Sequence, residues 1–324
     1  PGLTLSFKRF LKTYFYYEWF FLKRFFQFII ARLSKSPSES NLPDQPITLI
    51  DTFLTKDYLT NDRWYGSFWD YLDDTLKAEI FFVPSIVNTS LKDMRFVYKT
   101  LRNSPRNTII KDDFLSMSDL LYAYRHKKRV NSISVDSYIH SDIDLAGLVK
   151  EDIINNRDVQ TLMEALLIYR FLYRISKSSI KVRLSIDWFE GHSLDKLWNL
   201  GMKQFFPHIK RIGYENFRSF PYYLSTYPIA IERDAGTIPD TFAVQGKSCV
   251  ACIREFLPDQ DVIVVPAFRN EHVWQWNFNQ VPNDELQVLV TFPGSLEASV
   301  RMLELLIDAY NTDSKIRDVG ANYV

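Results

Sequence analysis

The sequence has almost no cysteine. Cys249 and Cys252 are its only two, too few for a disulfide framework, and the opening residues lack the pattern of a secretory leader. A cytoplasmic protein is expected on both counts. Net charge is missing as well: 39 lysines and arginines balance 39 aspartates and glutamates, so no global field draws in nucleic acid, and none is expected as a partner. There is no clean apolar run of the ~20 residues that a membrane span needs. Glu18, Lys23 and Arg24 interrupt the most apolar segment. The histidines, among them His126, His140, His208 and His272, show no metal-ligand spacing, and no metal site is expected. A phosphate-binding loop is wanting too. Gly246, Lys247 and Ser248 match the end of G-x-x-x-x-G-K-[ST], but Thr241 stands where its first glycine belongs.

Aromatic residues, by contrast, make up 15% of the chain, more than core filling usually takes, which points to contact with lipid, sugar or a partner. Many lie in residues 1–38. At about 100° per residue, Phe10, Leu11, Tyr14, Phe15, Phe21, Leu22, Phe25, Phe28 and Ile29 share one helix face, opposed by Lys8, Arg9, Lys12, Lys23 and Arg24. Such a basic amphipathic helix suits an anionic membrane surface through residues 7–33, or equally packs on its own domain.

A Ser/Pro-rich break follows, with a linker expected at 39–46. From residue 47 to 282, short apolar runs alternate with helix-period segments: "ITLIDTF", "IFFVPSI", "NTIIKDDF", "VRLSIDWF", "KRIGYENF", "DTFAVQG" and "DVIVVPAFR" read as strands. Helices are expected near Trp64–Leu76, Met94–Arg102, Ser116–His126, Val159–Ile175 and His192–Phe205. That rhythm predicts an α/β fold, a Rossmann-like parallel sheet flanked by helices. Residues 283–324, with "LQVLVTFP" and a helix over Ser295–Tyr310, read as the first strand and helix of a second Rossmann-like domain, incomplete here, so that a fragment is expected.

In open α/β sheets ligands sit outside the carboxyl ends of the strands. Asp187, Glu190 and His192 fall at such an end, where a carboxylate can deprotonate a hydroxyl and a neighbouring carboxylate raises its pKa. Ser193 and Asp195 read as helix punctuation, the first as N-cap. Lys247 and Ser248 open a helix able to hold an anion. Cys249 and Cys252 form a C-x-x-C, read either as a redox pair or as two small residues against the sheet. In "PAFRNEHVWQW", Arg269 can clamp a carboxylate or phosphate, beside His272 and two tryptophans able to stack on sugar rings.

The stretches "DWFEGHSLDKLWNLGMKQFFP", "IGYENF", "IPDTFAVQGKSC" and "VVPAFR", spread over about Ile186 to Arg269, resemble bacterial surface carbohydrate biosynthesis proteins, a family of glycosyltransferases. The resemblance implies a GT-B-like enzyme of lipopolysaccharide, O-antigen or capsule assembly. Residues 47–282 would be its acceptor-side domain and the incomplete domain its donor side. It implies Glu190 as the acidic residue facing the cleft; together with the strand-end reading, Glu190 and Asp187 are expected to be catalytic, with His192, Tyr214, Lys247, Ser248, Arg269 and His272 around the substrates. The partners would be a nucleotide sugar and a polysaccharide or lipid-linked acceptor. No separate cofactor is implied, since the nucleotide sugar is a substrate. The location would be peripheral, on the cytoplasmic face of the inner membrane. The alternative is a non-catalytic, membrane-associated protein that binds or assembles polysaccharide.

Overall fold

The computed structural model describes residues 2–35, 45–59, 62–140, 142–156, 159–215, 227–273, 287–288, 290–292, 295–312 and 322–323, with side chains from Phe15 to Val273 and in 290–292 and 295–312. The chain forms two compact units, Pro1–Glu271 and His272–Val324. The linker expected at 39–46 lies almost wholly outside the described residues.

The first unit is built on a six-stranded, fully parallel sheet. Its strands are β1 (Ile47–Leu54), β2 (Ile80–Ile86), β5 (Val182–Trp188), β6 (Lys210–Glu215), β7 (Thr241–Val244) and β8 (Asp261–Val264). A two-residue hairpin, β3 (Ile139–His140) with β4 (Ile143–Asp144), stands apart from it. The sheet order is β2-β1-β5-β6-β7-β8. β1 is buried at every position but one and β2 likewise, as expected of parallel strands covered on both faces. These are the Rossmann-like sheet and flanking helices that the apolar rhythm predicts.

One of the expected strands is not there. Thr108 makes an isolated bridge to Phe82, and Lys111–Asp113 curls into a 3-10 turn. The reason is that the polar groups of this turn are buried and must reach partners. Lys111 donates to Ser85, Asp112 pairs with Arg24 at 2.7 Å, and Asp113 pairs with Arg102 at 2.9 Å. The segment around Trp64–Leu76 is likewise no long helix but a run of turns ending in the short α2 (Asp74–Glu79).

One face of the sheet carries α1 (Gly2–Leu33), α4 (Met117–Tyr124), α7 (Gln160–Ser176) and α8 (Ser193–Phe205), which share a core with Leu49, Phe81 and Val83. α3 (Leu91–Arg102) packs against α1 through Met94, Val97 and Tyr98. Between α4 and α7 in sequence come α5 (His126–Asn131) and α6 (Ala146–Asn156). The buried side of α7 is Met163, Leu167, Ile168, Phe171 and Ile175, at helical spacing. The other face of the sheet is aromatic: Tyr65, Trp69, Phe82, Trp188 and Tyr214. α9 (Ala230–Ala235) and α10 (Lys247–Phe256) complete the unit.

α1 turns a different side to the core from the one its pattern suggests. Tyr17, Phe20, Arg24, Gln27 and Ala31 are buried, while of the expected apolar face Phe28 is buried, Phe21 and Phe25 are partly so, and Phe15, Leu22 and Ile29 are exposed. Arg24, expected on the solvated side, is 2% exposed and pairs with Asp112 and with Glu164 of α7. Aromatics surround this helix, so its hydrophobicity has no sharp direction. The ion pair and the Gln27 to Tyr98 hydrogen bond select the buried side. Among the described residues no helix is long and apolar enough to cross a membrane.

The second unit contains β9 (Gln287–Val288) and β10 (Asn322–Tyr323), paired in parallel, with α11 (Leu296–Thr312) between them in sequence.

Candidate functional site

Counting only the strands of the large sheet, the order runs 2-1-3-4-5-6 and reverses between β1 and β5. At such a reversal the connections leave the sheet in opposite directions and open a crevice at the strands' carboxyl ends. β5 reaches this rim at Trp188. Its side chains alternate. Ser185 and Asp187 face α8, where Ser185 accepts from Trp198 Nε1 at 2.8 Å and Asp187 from Asn199 Nδ2 at 2.8 Å, while Trp188 joins the aromatic face.

Beyond β5 the chain turns sharply through Gly191, whose φ of 75° is in the left-handed region that favours glycine. His192, not Ser193, is the N-cap of α8. The carboxylate of Asp195 accepts from the backbone N–H of Glu190 at 2.8 Å and of His192 at 3.0 Å, so it fixes the turn from within. It satisfies donors that a helix start leaves open.

Glu190 emerges half-buried at the rim. Its Oε1 accepts from Trp188 Nε1 at 2.8 Å, and its Oε2 lies 3.3 Å from His192 Nε2. The guanidinium carbon of Arg269 lies 5.3 Å from the ring centre of Trp64 and 5.9 Å from that of Trp188, a cation stacked on two aromatic faces. Burial pushes the Glu190 carboxyl up, but His192, Trp188 and Arg269 outweigh it and hold it below the ordinary glutamate value. The hydrogen bond to Glu190 raises His192 in turn, against its partial burial. The expectation that a neighbouring acid lifts Glu190 is thereby reversed. The strong donors beside it decide its charge.

The loop that carries Arg269 is held by residues far away in sequence. Tyr214 donates to Pro266 O at 2.9 Å and accepts from Phe268 N–H at 3.2 Å. A Cβ at Gly66 would come within 2.3 Å of the Phe268 carbonyl oxygen, and Ser67 donates to Glu271. Gly66 itself has a φ of 52°. Only glycine allows this approach. Tyr214, expected to touch substrate, is buried and occupied in positioning this loop.

Asp187, expected to be catalytic, is fully buried beneath α8. It belongs to a set with Asp51 and Asp195, both also fully buried. The pairing of β1 with β5 runs as far as Ile50 opposite Ile186, and Asp51 and Asp187 are the next residues of the two strands. Burial raises Asp51 to about 7, with Lys111 opposing and Asp195 assisting, and raises Asp195 to about 6 against its backbone hydrogen bonds. Burial followed by the charges of Asp195 and Asp51 raises Asp187 well above the ordinary value. An ionised carboxylate without a full set of partners is too costly in such a place, so protons are retained.

A pH dependence with a definite sign follows. Between the ordinary aspartate value of 3.8 and about 7, the folded chain keeps protons that the unfolded chain releases. Stability is therefore greatest at the acid end of this window and falls as pH rises through it. His192, also raised, adds to the fall as pH passes its folded pKa. Lys111, lowered chiefly by burial, has the opposite sign at higher pH. Urea unfolding across the window should show a declining free energy, and Asp51→Asn should flatten the decline.

Lys247 and Ser248 are exposed at the start of α10, on the same rim but two strands from β5, about 10 Å away at ordinary strand spacing. They do not join Glu190. His272 is exposed and opens the second unit, and Trp274 and Trp276 lie outside the described residues. Cys249 packs with Val250 and Val262 on the core of Phe242 and Ile253, while Cys252 donates to Ser248 O at 3.6 Å. Among the described residues no three His, Cys, Asp or Glu are arranged to hold a metal. The residues that pattern reading passed over are Trp64, Trp188, Asp51 and Asp195 in this role. Asp51 had a signal, a lone carboxylate inside the apolar run "ITLIDTFL"; Trp64 had none.

No protein-family model matches the chain, and no curated protein or solved structure is significantly similar to it.

Proposed function

We propose that the chain is the acceptor-side part of a glycosyltransferase of bacterial surface carbohydrate assembly. In this reading it works at the cytoplasmic face of the membrane on a nucleotide sugar and a polysaccharide or lipid-linked acceptor. The observation that carries it is the group at the reversal of strand order: Glu190 held by Trp188 and His192, with Arg269 stacked on Trp64 and Trp188. Glu190, ionised at neutral pH, accepts the hydrogen bond of an acceptor hydroxyl, and His192 shares the proton it takes up. Arg269 binds a phosphate or carboxylate of the substrate, and the partly exposed indole of Trp64 supplies an apolar face for a pyranose, with the fully buried Trp188 behind it. Asp187 and Asp195 act from beneath, as positioning residues. Lys247 and Ser248 supply a second anion contact along the rim.

A second reading, a polysaccharide-binding protein without turnover, is favoured by the lowered pKa of Glu190, because an acid so well satisfied is a weak base.

Both readings place a sugar against Trp64 and against Glu190, to which the buried Trp188 N–H is bonded, and this can be tested by titrating the protein with nucleotide-diphosphate hexoses and with surface-polymer oligosaccharides. The indole N–H resonances of Trp64 and Trp188 should move. That of Trp198, buried against Ser185 under α8, should stay and serves as internal control. Titrations that leave Trp64 and Trp188 unmoved would reject both.

A further inference from the structure

On α1, the side opposite the buried face is a continuous apolar row. Phe15, Trp19, Leu22, Phe26, Ile29 and Leu33 are 66, 60, 48, 51, 36 and 80% exposed. Their spacing of four, three, four, three and four residues confines them to an arc of about 80°, and the row is about 27 Å long. An exposed apolar strip of this size marks a surface that meets something other than water.

The charges beside the row identify the occupant. Lys23 lies on one flank and Arg32 on the other. Past the Arg32 flank comes the run Arg125-His126-Lys127-Lys128-Arg129, at the junction of α4 and α5. Contacts fix that junction against α1: Tyr17 Oη donates to Tyr124 O at 2.9 Å, Phe21 and Tyr124 have ring centres 4.4 Å apart, and Lys127 Nζ is 6.0 Å from the centre of Tyr17. Arg125 and Lys128 are exposed. Glu18, the one acid in α1, accepts a hydrogen bond from Tyr124 at 2.7 Å.

We infer that this row, with the cations on its flanks, seats the protein on an anionic lipid bilayer, α1 lying in the plane of the interface. The assignment deepens the peripheral location proposed above and turns the lipid-facing side by about 75° from the centre of the apolar face that the sequence pattern suggests, keeping Phe15, Leu22 and Ile29 of that face. Phe and Trp are interfacial side chains, and lysine and arginine at the edges of such a strip meet the headgroups. A second copy of the chain is a poorer occupant. Helix pairs prefer branched aliphatic residues at this spacing, and two copies would bring like charges together along the seam.

The test is cosedimentation of the full chain with vesicles of equal parts phosphatidylglycerol and phosphatidylcholine, against vesicles of phosphatidylcholine alone. Binding is expected with the first and not the second. Arg125→Gln with Lys128→Gln should weaken it roughly thirtyfold, given about 1 kcal/mol for each cation near an anionic surface. Trp19→Ser with Phe26→Ser should weaken it at least tenfold, with an unchanged urea midpoint because both side chains are exposed. Equal binding to both vesicles, no binding to either, or variants that bind like the parent would overturn the proposal. So would sedimentation equilibrium showing a lipid-free dimer that Trp19→Ser with Phe26→Ser dissolves. The indole titration of Trp64 and Trp188 is run without lipid, so failure of the sugar-site reading registers separately.

Discussion

Replacing Arg24 by methionine should lower the unfolding free energy by about 3–5 kcal/mol, the range for removing one partner of a buried ion pair. Arg24 is 2% exposed, and its guanidinium lies 2.7 Å from Asp112 and 3.1 Å from Glu164. Asp112 also accepts from Tyr98 Oη at 2.7 Å, and Tyr98 accepts from Gln27 at 3.1 Å. One polar network thus ties α1, α3, α7 and the 3-10 turn that precedes α4. Methionine fills much of the arginine stem's volume, so the loss measured is chiefly that of Asp112 left charged without its partner. Adding Asp112→Asn should recover a large part of it, because the two changes share one interaction. Urea unfolding at constant m-value checks both steps. A loss below about 1 kcal/mol is what a solvated surface arginine would give, and it would return Arg24 to the exposed side of the helix.

The contrast between Arg24 and the β-strands shows what sequence pattern can and cannot specify. "ITLIDTFL" and "IFFVPSI" are buried on both faces, so an unbroken apolar run is their proper signature, and it was legible. α1 was legible as a helix but not in its orientation. When Phe, Tyr and Trp stand on every side, the buried side is chosen by a few polar contacts to residues about 70 to 140 positions away, which no local window contains. The turn at Lys111–Asp113 fails as a strand for the same reason, since its three charged side chains find their partners in three different elements.

At the site, the place of Glu190 could be read from a strand giving way to a helix. The direction of Asp187 could also have been read from alternation, because Asp187 and Trp188 must point to opposite faces. The stacking of Arg269 on Trp64 could not. Those residues are brought together by contacts distant in sequence, among them Gly66 against Phe268, Ser67 with Glu271 and Tyr214 with the loop after β8.

The second large effect concerns Glu190 itself. Glutamine keeps its shape and can still meet Trp188 Nε1 through its carbonyl oxygen, but it cannot take a proton and adds an N–H2 beside His192. If Glu190 is the group that activates an acceptor hydroxyl, turnover should fall by about 10²–10⁴. The fold should be unaffected, since the Asp195 hydrogen bonds that hold the turn use the Glu190 backbone and not its side chain. Binding of oligosaccharide, read on the Trp188 indole, should persist in the variant. The measurement is transfer of labelled sugar from nucleotide donor to acceptor by the whole protein and by its Glu190→Gln variant, with thermal unfolding alongside. The predicted result is turnover reduced at least a hundredfold at unchanged unfolding temperature. Equal turnover by the two proteins would contradict the assignment of Glu190, and absence of turnover in both would leave the chain a sugar-binding protein.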